Sequence, residues 1–259
     1  MEYHLIEFEN RENVGTITLK RPEVLNSFNK EMASETQHAL DKCSADKEIR
    51  AVLITGEGRA FCAGQDLEEA IAPESKIAEI VKNTYNPIIN KIRTIEKPVV
   101  CAVNGVAAGA GANIAFACDL TLAGKSASFI QSFIHIGLIP DSGGTYTLPR
   151  LVGMQRAAAL TMLGEKIKAE EAQNLGLIYK VCEDETLLEE AFSLASKLAK
   201  MPTRGIGLTK RGMNHGLSTD LQSQLDFEVT IQEEAGNTAD YKEGVNAFLE
   251  KRKANFKGE

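Results

Sequence analysis

At 259 residues, 43% hydrophobic and 25% charged, the chain has the make-up of a water-soluble globular protein whose core needs no disulfide or metal support. A net charge of −7 and a pI near 5.3 argue against a nucleic-acid or polyanion surface, although a few local cations or backbone amides still suffice for an anionic ligand. Five scattered cysteines with no C-x-x-C pair argue against a disulfide framework and a zinc site, and fit a reducing compartment.

The first residues, Met1-Glu2-Tyr3-His4-Leu5, lack the basic region and apolar core of a signal peptide, and no apolar run reaches the roughly 20 residues that span a bilayer. A cytoplasmic chain is expected. Tyr3 to Phe8 and Val14 to Leu19 alternate in polarity around Glu12-Asn13 and predict two strands joined by a turn. Pro22 ends that run. Helical spacing follows over 29–46, a short strand over 51–55, and a second helix over about 76–95. Val99 to Val103 reads as a buried strand, Gly105 to Ala117 as a glycine- and alanine-rich helix, and Leu120 to Ala123 as another strand. Repeated strand–helix units predict an α/β fold of stacked turns. Beyond about residue 143 the chain reads as almost wholly helical, broken near Tyr179-Lys180-Val181. Helices near 184–200, 203–216, 218–235 and 239–253 form a charged tail whose apolar faces, with Leu221, Leu225, Val245 and Phe248, must pack on something.

Two strand ends lead into glycine-bearing loops, Gly56 to Leu67 and Val103 to Asn113. Such loops before a helix offer unpaired N–H groups that suit an anion. Neither has G-x-G-x-x-G or G-K-[ST], so dinucleotide and phosphate-loop readings are poor. Tight turns and close helix packing would explain the glycines of one such loop, but two similar loops point to a shared site. A third region, Gly137-Leu138-Ile139-Pro140-Asp141-Ser142-Gly143-Gly144-Thr145, places Asp141 just before a helix, where an N-cap is the plain structural role.

These three segments together, AFCAGQDL (60–67), AVNGVAAGAGANIAFACDL (102–120) and GLIPDSGGTYTLPRLVG (137–153), resemble the crotonase, or enoyl-CoA hydratase/isomerase, superfamily. The resemblance continues through GEKIKAEEAQNLGLIYKV (164–181) and EGVNAFLEKRKANFKG (243–258). It implies a spiral of ββα units over residues 1–198 and a C-terminal helical region over 199–259 that makes trimers or pairs of trimers. It also implies an acyl-CoA thioester, with no separate cofactor and no metal. The positions matching the two oxyanion-hole amides are Gln65 and Ala110. Ala60, Cys62, Ala63 and Asp66 fall where relatives hold the adenine end of CoA, and Lys257, beside Phe256, matches a C-terminal element that touches CoA.

The positions matching the two glutamates of the family's hydratases are Asn113 and Phe133, neither of which can act as a general base. Asp141 matches the lone acid of the family's isomerases, and the tail resembles the ring-epoxide isomerases of phenylacetate degradation. The resemblance therefore implies a single-Asp proton shuttle, moving a C=C bond from position 3 to 2 or opening a ring, in a site walled by Phe61, Phe129, Phe133 and Ile136. Residues 68–85 are expected to hold a loop over the acyl chain. Aroyl-CoA dehalogenases keep the same Asp but carry a histidine where Asn86 stands, and His135 reads as structural. Hydratase or dehalogenase chemistry and non-catalytic acyl-CoA binding are the alternatives.

Overall fold

In the computed structural model, which describes residues 1–74 and 76–259, the chain opens with a hairpin. Ile6–Arg11 (β1) and Val14–Leu19 (β2) pair antiparallel, with Ile6 opposite Leu19. Glu12 and Asn13 take φ of 52° and 62°, the left-handed pair that lets a two-residue turn follow strand twist. Asn29 then caps Lys30–Ala45 (α1) by accepting from Met32 N at 2.9 Å. The buried Glu35 carboxylate ties this helix to the hairpin by accepting from the amides of His4, Leu5 and Ile6 at 2.8–3.0 Å.

From Ala51–Gly56 (β3) the chain alternates between two sheets. Ala60–Cys62 (β4) turns off β3, and Leu67–Ala70 (α2) follows. The helix expected over 76–95 is Ile77–Ile80 (α3), a π-helical turn at Val81–Tyr85, and Asn86–Thr94 (α4). Val99–Val103 (β5) and Val106–Ala108 (β6) precede Ala110–Ala117 (α5); Leu120–Gly124 (β7) and Ser128–Ile130 (β8) precede Gly144–Leu163 (α6). This is the predicted spiral of ββα units. Lys166–Lys168 (β9), Ala169–Leu175 (α7), Lys180–Cys182 (β10) and Leu187–Ala199 (α8) complete it. The six-stranded sheet has the order β1-β2-β3-β5-β7-β10 and the four-stranded sheet β4-β6-β8-β9.

Strand alternation divides the core. Val52, Ile54, Val99 and Cys101 face a cluster with Met32 and Leu40 of α1 and Ile88 and Ile92 of α4. Their neighbours Ala51, Leu53, Val100 and Ala102 face Leu187, Ala191 and Ala195 of α8. A sheet covered on both faces reads as a continuous apolar run, as 51–55 and 99–103 do.

Two expectations are corrected. The helix read from Gly105 begins only at Ala110, because 106–108 form β6; and the segment after 143 contains β9, paired antiparallel with β8. Strands of three residues are too short to display an alternation. In addition, α6 breaks at Gly153 (φ 77°, ψ 163°), shortly after Pro149.

Thr203–Gly216 (α9), Leu221–Gly236 (α10) and Ala239–Leu249 (α11) close the chain. Lys210 of α9 is buried and donates to Ile92 O at 2.6 Å and to Asp119 Oδ2 at 2.7 Å, which docks α9 on the end of α4. No helix among the described residues is long and apolar enough to cross a membrane.

Candidate active site

The two glycine loops converge. Phe28 N donates to Gly64 O at 2.7 Å and Asp66 N donates to Phe28 O at 2.9 Å, an isolated parallel bridge that takes up the peptide groups on either side of Gln65. The N–H of Gln65 itself therefore points to the opposite side. Ala110 is the first residue of α5, so its N–H has no helical acceptor. A Cβ built on Gly64 (φ 95°) would lie 3.0 Å from Ala108 O and 3.7 Å from Ala110 N, so only glycine lets the loops approach this closely. Gly109, at φ 52° and ψ −123°, turns the chain from β6 into α5, and the Phe133 ring lies against it. The amides of Gln65 and Ala110, from different loops, thus both stand outside the secondary-structure hydrogen bonding where the loops meet.

Asp141 is brought to the same place by α5. Asn113 lies one helical turn after Ala110, on the same face. Its Nδ2 donates to the main-chain carbonyl of Asp141 at 2.9 Å, and its Oδ1 accepts from Gln131 Nε2 at 2.9 Å. Gly144 N also donates to Asp141 O, at 2.8 Å. The Asp141 side chain caps nothing: the cap residue of α6 is Gly143, with no side-chain bond. The Asp141 carboxylate accepts a bond from Ser142 Oγ at 2.8 Å, and Ser142 takes a left-handed φ of 51°. Burial pushes the Asp141 carboxyl above the usual carboxylate range, and the Ser142 hydrogen bond opposes that only in part.

Other nearby acids are committed. Asp66 is paired with Arg21 at 2.9 Å and caps α2, and Glu69 accepts from Lys30 N at 3.0 Å. Tyr85, fully buried at the end of the π-turn, donates to Gln65 Oε1 at 2.5 Å. The roles of Tyr85 and Gln131 are not legible in the sequence, because no local pattern marks a side chain that bonds across 20 or 18 residues.

The remaining expected positions separate. Ala60 and Cys62 are buried in β4, with Cys62 Sγ against Gly111 and its thiol pushed up to about 12 by burial. Ala63 N donates to Leu25 O at 2.9 Å, beside the Arg21–Asp66 pair. Lys257 is elsewhere: its N–H donates to Asp240 Oδ1 at 2.6 Å, next to Phe256, whose carbonyl accepts from Arg50 at the start of β3. The Gln65 loop leaves the other end of that strand, roughly 20 Å away. Of the expected walls, Phe133 flanks Gly109, whereas Phe61 and Phe129 pack in the core, Phe129 stacked on Phe116 at 5.2 Å, and Ile136 is exposed. His135 is exposed beside Gly164. Ser75, within the expected acyl-chain loop, lies outside the described residues. A groove of about 850 Å³ between Arg11, Phe192, Lys197 and Phe256 lies by α8 and holds neither the paired amides nor Asp141. Among the described residues no three His, Cys, Asp or Glu side chains gather as a metal site.

Residues 9–259 match the enoyl-CoA hydratase/isomerase family. The chain belongs to that family. It is 46% identical over 262 residues to 1,2-epoxyphenylacetyl-CoA isomerase of Escherichia coli (strain K12), covering 100% of this chain and 99% of the other. It is 45% identical over 258 residues to a probable enoyl-CoA hydratase of Rhodobacter capsulatus, with 100% of both chains covered. The crystal structure of enoyl-CoA hydratase from Bacillus anthracis superposes with a TM-score of 0.92 at 34% identity, covering 99% of this chain and 100% of that one. An enzyme of this family acting on acyl-CoA is therefore established, and its relatives carry both isomerase and hydratase names.

Proposed function

We propose that this family member is an acyl-CoA isomerase with one catalytic base, Asp141. The carboxylate removes a proton α to the thioester, and the resulting enolate oxygen rests on the N–H groups of Gln65 and Ala110. The protonated carboxyl then returns the proton at the γ carbon, so that a 3-enoyl thioester becomes a 2-enoyl thioester. On a ring epoxide the same base supports ring opening. Preorganised amides favour the enolate over the neutral carbonyl, and a single such donor is typically worth about 10²–10³ in rate.

The observation that carries this reading is the engagement of Asn113. Its amide is used on both sides, by Asp141 O and Gln131 Nε2, at the position where a hydratase of the family needs a carboxylate. Phe133, at the other such position, is apolar and buried. With Asp66 and Glu69 committed, Asp141 is left as the acid near the paired amides. The hydratase names among the relatives favour hydration as a second reading.

Turnover of a linear 3-enoyl-CoA, and separately of a 2-enoyl-CoA in water, by wild type and Asp141→Asn tests both. Isomerisation without hydration, lost at least about a hundredfold in the variant, is expected of a single base. Robust hydration, or a fully active variant, sinks it.

Around this centre we place Ala63 and Asp66 on the adenine side of CoA; Ala60 and Cys62, buried in β4, would shape that loop from behind and not touch the ligand. Lys257, which in its own chain sits by Asp240 and Arg50, would reach the CoA of a neighbouring subunit. A trimer, or a pair of trimers, assembled through residues 199–259 fits the exposed Tyr241, Val245, Phe248 and Leu249 of α11. Five buried free thiols suit a reducing cytoplasm, and the chemistry asks for no metal or added cofactor.

A further inference from the structure

We propose that Tyr85 is a positioning residue for the oxyanion-hole amide of Gln65, set in place by the π-helical turn over α1. The proposal rests on the reading above in one respect: Gln65 N–H is taken as a donor to the thioester oxygen.

An amide donor works only if its peptide plane is fixed before the charge develops. The backbone on either side of Gln65 is fixed by Phe28, through Gly64 O and Asp66 N. The side chain is fixed separately. Tyr85 Oη donates to Gln65 Oε1 at 2.5 Å, and Gln65 Nε2 donates to Asp66 O at 3.1 Å. The Tyr85 ring meets the Phe28 ring edge-on, with centroids 6.1 Å apart at 74°. Phe28 and Tyr85 thus hold each other and, from two sides, Gln65.

The π-turn gives Tyr85 this reach. Val81–Tyr85 inserts an extra residue into the helical path, a device common at functional sites. Two of its carbonyls, at Asn83 and Thr84, are taken up by Gln37 Nε2 of α1 at 2.9 and 3.1 Å. Past the turn, Tyr85 is buried and Asn86 is exposed. Burial, with Cys62, Asp141, Glu69 and Asp66 around it, pushes the phenol up, so the hydroxyl remains a donor. Tyr85 touches no reacting atom; it acts through Gln65.

The test is a double-mutant cycle with Tyr85→Phe and Gln65→Ala, read by steady-state kinetics and by the thioester C=O stretch of a bound, non-isomerisable acyl-CoA. Tyr85→Phe should lower kcat for 3-enoyl-CoA isomerisation by about ten- to a hundredfold with KM within about threefold. The C=O band should move back toward its value in water. In a Gln65→Ala background, Tyr85→Phe should add less than about a twofold further loss. An unchanged kcat and band in Tyr85→Phe, or a full additional loss in the Gln65→Ala background, overturns the proposal. The band needs no turnover, so a wild type that polarises the thioester without isomerising it would sink the isomerase reading and leave this one standing. Melting temperatures of the variants show whether the fold survives; if Tyr85→Phe does not fold, Gln37→Ala, which frees the π-turn carbonyls, should give the same band shift, and its absence overturns the proposal.

Discussion

Asn113 holds the Asp141 loop by its backbone: Nδ2 reaches the Asp141 carbonyl at 2.9 Å while Oδ1 accepts from Gln131 at 2.9 Å. The amide needs both of its ends for this, a donor toward one residue and an acceptor toward the other. Asn113→Ala should therefore strand the buried Gln131 Nε2, at a cost of about 1–3 kcal/mol, and leave the Asp141 carbonyl held by Gly144 N alone. Activity should fall by about tenfold or more as the Asp141 loop loosens. Asn113→Glu, the residue a hydratase carries there, offers no donor when ionised and meets Gly144 at close range. It should lose isomerisation and gain no hydration, which assays on 3- and 2-enoyl-CoA would show directly.

The raised pKa of Asp141 has consequences of opposite sign for activity and stability. In its proposed role as base it must be ionised, so kcat should fall with decreasing pH along a limb centred above the ordinary carboxylate range. In the unfolded chain the carboxyl titrates near its ordinary value, about 3.9. Between that pH and the folded value, the folded protein holds a proton that the unfolded chain has lost, so stability declines as pH rises through the window. At neutral pH the ionised carboxylate burdens the fold. Asp141→Asn should melt higher than wild type at pH 7, with the difference vanishing below about pH 4. A variant that melts lower at pH 7 would return Asp141 to a structural role.

Gly64→Ala tests the approach of the two loops. It strains a φ of 95° and sets a Cβ 3.0 Å from Ala108 O. We expect a loss of about 1–3 kcal/mol in stability and about tenfold or more in kcat. Gly153→Ala is the control, since its φ of 77° is equally strained but nothing lies within 4 Å of the new methyl. It should lower the melting temperature and leave kcat unchanged.

Lys210 and Asp119 make a different kind of prediction. Burial lowers the Lys210 pKa, and Asp119 at 2.7 Å opposes that. Asp119→Ala leaves the ammonium buried without its counter-ion, at a cost of about 3 kcal/mol, and should lower the melting temperature by on the order of 10 °C. Lys210→Met in the same background should recover part of the loss, because an apolar side chain of similar length needs no partner there. Thermal unfolding of the single and double variants decides it.

Much of this was legible in the sequence, for physical reasons that differ along the chain. The hairpin at Glu12-Asn13 and the buried runs at 51–55 and 99–103 follow from periodicity and turn chemistry. The four-stranded sheet does not, because β4, β6, β8 and β9 have three residues each and two of them sit inside glycine-rich segments. The proposal for Gln65, Ala110 and Asp141 rests on motif likeness rather than composition. What holds them was not legible in the sequence: the Gln131–Asn113–Asp141 chain and the Tyr85–Gln65 bond join residues far apart in sequence whose types are unremarkable where they stand. Lys257 shows the converse, a motif match that the folded chain carries to the other end of a strand.

The isolation of Asp141 also bears on stereochemistry. In the proposed reaction a lone carboxylate, anchored through its own main chain to the helix that begins at Ala110, would address the flat enolate from one side. The hydrogen taken from one carbon and the hydrogen delivered to the other would then share a face of the acyl chain. Isotopic label placed at the first carbon would be carried in part to the second instead of being washed out by solvent, a trace that two separate acids on opposite faces could not leave.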